Sequence, residues 1–235
     1  MLWVDIAANA NKIVKVNSYI MKISTDTLTI LKNFNGLNPN LVVKPGNIIK
    51  TIAKEGSATL AIASIAENFE IPFAVGNLSK FIGAVSLFEN PDFEFFDNYV
   101  KISEGTNYVR YVYDEPSLLD APPDGQVKME TRDVEFELSE KDFSLIMKAA
   151  SNLQSPQLCL TGEDNTIYFR AVDIKNPTSS NFSMAVGITD QTFNSSFNAL
   201  NFKFLSRNYN VTLCTDKIIE FKSENLTYWM AARIE

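Results

Sequence analysis

The side chains that could do chemistry in this 235-residue sequence are carboxylates, lysines and two cysteines, because histidine is absent. That absence removes Ser-His-Asp and Cys-His pairs, His-ligated zinc and the commonest general base near neutral pH. Nine glycines are present, and none falls in G-x-G-x-x-G or G-x-x-x-x-G-K-[ST] spacing, so dinucleotide and P-loop chemistry lack support. Asp133, Glu135 and Glu137 could be imagined as metal ligands, and Asp92 with Glu94 as a carboxylate pair. Each set alternates with Val134, Phe136 and Leu138 or with Phe93 and Phe95, which reads as the wet face of half-buried strands. Cys159 lies between leucines and Cys214 beside one, so both read as buried, inert thiols. No catalytic residue, metal or cofactor is expected, and the composition points away from an enzyme.

The lysines carry more information once the elements that hold them are drawn. Helices are predicted over 24–34, 77–88, 139–152 and 198–208, with Ser24 and Ser139 as N-caps and Asp142 adding a capping-box-like acid. The last of the four is also readable as a strand. These segments hold six basic residues, Lys32, Lys80, Lys141, Lys148, Lys203 and Arg207, against three acids, all in first turns. The rest of the chain is strongly acidic, and the net charge is −7. If the helices share one face, that face is basic on an acidic body. A DNA reader working by open-surface contact would fight long-range repulsion from phosphates. A protein that encircles the duplex would not, since topology holds it and a weakly basic lining suffices.

An internal duplication organises these elements. Ile23-Ser24 with Leu28, Leu31 and Lys32 recurs about 115 residues later as Leu138-Ser139 with Phe143, Ile146 and Lys148. Leu41-Val42-Val43 before a turn answers Leu158-Cys159-Leu160, and Tyr99-Val100-Lys101-Ile102 answers Ile218-Ile219-Glu220-Phe221. Most of each copy is read as strand. The segment 114–126, rich in proline and acids, reads as an extended linker. Phe182, Phe193 and Phe197 are candidates for exposed residues at a subunit contact. No apolar run reaches the ~18–20 residues of a membrane-spanning helix. The start lacks the basic flank of a secretory signal, so the cytoplasm is the expected location.

Two strand-rich copies with two helices each resemble the DNA sliding clamps, and most specifically the processivity clamps of T-even-type bacteriophages. The stretches that carry the resemblance are Met21-Lys22-Ile23-Ser24 through Phe34, Leu78-Ser79-Lys80-Phe81-Ile82-Gly83-Ala84-Val85-Ser86-Leu87 and Arg207-Asn208-Tyr209-Asn210-Val211-Thr212-Leu213. The resemblance implies an α+β fold of two clamp domains with antiparallel sheets outside and two helices per domain on the inner face. It places clamp domains at 21–113 and 133–235, a linker at 114–132, and an extension of unknown role at 1–20. It also implies a homotrimeric ring around double-stranded DNA, an ATP-driven clamp loader, a tethered replicative DNA polymerase and a place in the cytoplasm of the infected host. Lys32, Lys80, Lys141, Lys148, Lys203 and Arg207 would face DNA. Leu118, Leu119, Met230 and Ile234 would line a partner-peptide pocket beside the linker. The rival readings are a β-rich phage structural or assembly protein, which needs no basic helix face, and a carboxylate-dependent hydrolase.

Overall fold

Alternation of apolar and polar residues builds sixteen antiparallel strands among the described residues. The computed structural model describes residues 18–53, 59–125, 127–215 and 217–232. The first half runs β1 (Tyr19–Met21), α1 (Thr25–Leu37), β2 (Leu41–Val43), β3 (Gly46–Ala53), β4 (Thr59–Phe69), β5 (Phe73–Val75), α2 (Leu78–Val85), β6 (Asp92–Phe95), β7 (Tyr99–Glu104) and β8 (Asn107–Val112). A 3-10 turn at Pro116–Leu118 lies in the linker. The second half runs β9 (Val134–Leu138), α3 (Glu140–Asn152), β10 (Gln157–Glu163), β11 (Thr166–Val172), β12 (Phe182–Ile188), β13 (Phe193–Asn198), a 3-10 turn (Ala199–Asn201), β14 (Tyr209–Cys214), β15 (Ile218–Lys222) and β16 (Leu226–Ala231).

The two halves repeat one order of strands. One sheet is β1-β6-β7-β8, and its counterpart β9-β14-β15-β16 is extended by β4 and β3 of the first half into six strands. A further sheet runs β12-β11-β10-β13, and β2 pairs with β5. The joint between halves is the antiparallel pair β4·β16, from Leu226 opposite Ala63 to Met230 opposite Thr59. Turn chemistry follows the sequence: Asp164 and Asn165, both at positive φ, make the tight turn between β10 and β11.

Phenylalanines fill the core. Phe69, Phe73 and Phe95 contact one another in the first half, and Phe143, Phe204 and Phe221 do so in the second. Phe193 and Phe197 are buried, and Phe182 is half-buried on the edge strand β12, so only Phe182 remains open to a subunit contact. Cys159 and Cys214 are buried free thiols. Glu135 and Glu137 face solvent on β9, as the alternation requires. The first sheet begins at Tyr19, whose ring stacks on Phe95 at 5.0 Å, so Tyr19 and Ile20 are strand residues rather than part of an extension.

The predicted fourth helix does not form. Only the single 3-10 turn at Ala199–Asn201 is helical, and residues 202–208 run without helix to β14. Phe202 and Phe204 are both buried while Lys203 between them is exposed. A helix would turn residues two apart roughly 200° from each other, whereas extended backbone puts both rings in the core.

Candidate nucleic-acid interface

Ser24 and Ser139 start α1 and α3 as the sequence nominates, and Asn77 starts α2. Ser24 Oγ accepts from Thr27 N at 3.2 Å, and Ser139 Oγ accepts from Asp142 N at 3.1 Å while donating to that residue's carboxylate at 2.7 Å. Asn77 Oδ1 accepts from Lys80 N at 2.8 Å. Such caps satisfy amide groups that a helix start leaves unpaired, each contributing about 1 kcal/mol. Glu67 reinforces α1 from the neighbouring strand. Its carboxylate accepts from Ser24 N and from Thr27 Oγ1, both at 2.5 Å. Burial alone would raise its pKa, but the Thr27 hydroxyl and the Ser24 amide outweigh that and hold it below the usual carboxylate range.

Side chains then tie the helices into one layer. Asn35 Nδ2 donates to Ser79 Oγ at 2.9 Å, joining α1 to α2. On the other flank of α1, Asn33 Nδ2 donates to the Lys203 carbonyl at 2.8 Å, and Lys203 Nζ donates to the Gly36 carbonyl at 3.0 Å. The same 202–208 segment reaches α3, where Asn208 Oδ1 accepts from Glu140 N at 2.8 Å and the Ser206 and Ser144 hydroxyls bond. The order across the layer is therefore α2, α1, the 202–208 segment and α3. The segment fills the place assigned to a fourth helix.

The six cations divide into two groups. Lys32, Lys80, Lys141 and Lys148 are exposed on the helices. The lysine ion pairs found among the described residues engage others, namely Lys22, Lys44, Lys101 and Lys217. Lys203 and Arg207 lie off any helix. Lys203 sits at the C-terminal end of α1, where a cation is favoured by unpaired carbonyls. Arg207 is committed to Asp26 at 2.6 Å and to Asn225 Oδ1 at 2.6 Å. Sequence reasoning missed Glu67, although a lone acid at an inward position of the alternating Thr59–Phe69 run is a legible signal. It also missed the Asp26 and Asn33 contacts, which span 181 and 170 residues and leave no local trace.

Of the four residues expected to form a partner pocket, the three among the described residues differ widely in exposure. Leu118 is 82% exposed, Leu119 is half-buried, Met230 is fully buried in β16, and Ile234 lies outside the described residues. A cleft of about 410 Å³ lies beside the linker, lined in part by Asn38, Ile52, Thr59, Asp120, Leu200 and Lys203. Asn38 Nδ2 donates to the Ile52 carbonyl at 3.2 Å and to the Asp120 carbonyl at 3.4 Å, which holds the linker against the end of α1.

No family model matches the chain. A sliding clamp of Vibrio phage KVP40 is 26% identical over 219 residues, covering 90% of this chain and 98% of the phage protein. A sliding clamp of Enterobacteria phage T4 is 28% identical over 222 residues, covering 90% and 96%. The chain is a sliding clamp of the T-even phage type. Solved structures agree on the fold of this clamp. PCNA from Thermococcus kodakaraensis superposes with a TM-score of 0.70 at 10% identity, over 92% of this chain and 99% of that one. The Helicobacter pylori beta clamp gives 0.67 at 13% identity, over 95% of this clamp but only 67% of the bacterial chain. Such low identities speak for the architecture of the clamp, with its sheets and its helix layer, and for nothing further.

Proposed function

We infer that three copies of this chain close into a ring around double-stranded DNA and tether the replicative polymerase, a role that needs no catalysis. The observation that carries the reading is the helix layer with four exposed lysines on a molecule of net charge −7. Enclosure removes the need for tight phosphate contacts, and few lysines leave the ring free to slide.

The internal duplication supports ring closure. Within the chain, β4 of the first half pairs with β16 of the second. By position in their sheets, β12 corresponds to β4 and β8 to β16, yet both stand at free sheet edges. They also carry exposed apolar side chains: Tyr108 is 64% exposed, Val112 58% and Ile188 86%. Open edges of this kind seek a partner strand. Antiparallel pairing of β8 with β12 of the next copy repeats the internal joint as a head-to-tail contact, which closes when the rotation allows. Domains at 21–113 and 133–235 joined by 114–132 then give six similar units in a ring of three. Lys32, Lys80, Lys141 and Lys148 face the DNA, an ATP-driven loader opens the ring, and a partner peptide enters the cleft over Asp120. Replication in the host cytoplasm is the setting.

Native mass spectrometry tests the assembly. Three chains are expected at micromolar concentration, and a monomer under the same conditions would overturn the ring.

A further inference from the structure

Asp26, Arg207 and Asn225 form a closed triangle across the joint between the two halves. Arg207 Nη2 donates to Asp26 Oδ1 at 2.6 Å, and Arg207 Nη1 donates to Asn225 Oδ1 at 2.6 Å. Asn225 Nδ2 completes the triangle by donating to Asp26 Oδ2 at 2.9 Å. Asn225 also fastens the sheet joint, since its carbonyl accepts from Ser64 N at 2.8 Å and its amide donates to the Ser64 carbonyl at 3.2 Å. Two turns further along α1, Asn33 accepts from Tyr228 Oη at 2.7 Å. Burial pushes the Tyr228 phenol up, so it stays a donor across the working pH range.

The β4·β16 ladder joins the halves within a single sheet layer, and adjacent strands of one sheet can take a range of twist angles. The α1 contacts lie off that layer and act as a second point of attachment. Asp26 points both carboxylate oxygens at donors, one of them the Arg207 guanidinium, so that bond is of the stronger, charge-assisted kind.

We propose that Asp26, Arg207 and Asn225 are positioning residues that fix the angle between the two domains, so that three chains close without strain. This rests on the ring reading above. An angular error in one chain is repeated in every copy, so closure reports on it more steeply than folding does. Arg207 on this account braces the ring and does not serve as a phosphate contact.

The test compares Asp26→Asn, Arg207→Gln and the double variant by sedimentation and by thermal melting. Each single variant is expected to raise the concentration needed for half-assembly about tenfold, and the double variant no more than either alone. DNA binding at low salt then separates the roles. The brace predicts that both variants weaken retention on circular DNA. A phosphate contact predicts opposite signs, with loss for Arg207→Gln and gain for Asp26→Asn, and that result would overturn the proposal. Unchanged assembly in both variants would overturn it too, as would a fall in melting temperature with assembly intact. A wild-type chain that never forms trimers would instead strike at the ring itself.

Discussion

Glu67 shows how a single residue couples strand to helix. Its ionised carboxyl stabilises the start of α1, and its pKa in the fold lies below the unfolded value. Its contribution is therefore complete above the ordinary carboxylate range and is lost as pH falls through the folded pKa. Glu67→Gln is expected to cost about 1–3 kcal/mol at neutral pH, and the gap in melting temperature should shrink towards pH 3. Thermal melts of both proteins across that range check it, and a gap independent of pH would count against the ionised form. The exposed lysines make the opposite kind of prediction. Charge reversal at Lys32 and Lys148 should leave melting unchanged within about 2 °C, as surface changes do. Processive synthesis on a primed template should nonetheless fall. The four helix lysines were legible because helical spacing shows which face they occupy. Lys203 and Arg207 were placed by the same rule on a helix that does not form, so the rule does not say which face they occupy.

At the scale of elements, three of four helices were readable from caps and apolar spacing, and the ends moved by only a few residues. The fourth failed for a tertiary reason. Phe202 and Phe204 are both drawn into the aromatic cluster with Phe221, and satisfying both requires extended backbone. Local propensity does not register that demand. The cleft beside the linker was illegible for a similar reason, since its walls come from α1, β3, β4, the linker and residues 200–203. The edge strands yield a prediction of their own. Val112→Glu on β8 and Ile188→Glu on β12 alter side chains that solvent already reaches, so the monomer should melt within about 2 °C of wild type. Each variant should shift the population from rings to single chains in sedimentation velocity. Intact rings in both would place the subunit contact elsewhere.

The whole molecule reconciles an acidic chain with a polyanionic partner by separating charge in space. Among the described residues only three acids, Asp26, Glu140 and Asp142, lie on the helices, the others being on strands, turns and the linker, and the helix layer presents lysines. The β4·β16 joint shows how one copy of the duplicated domain meets the other, and β8 and β12 stand at free sheet edges; on the proposed ring, those edges would repeat the joint between chains. Grip by enclosure then has a property that grip by contact lacks: it depends on whether the DNA has ends. The most direct measurement loads the protein onto nicked circular DNA, with an ATP-driven clamp loader supplied, and follows its retention through gel filtration before and after the circle is cut once. Protein that stays on circles and runs off the cut DNA is the expected result, and equal retention on both forms would contradict encirclement.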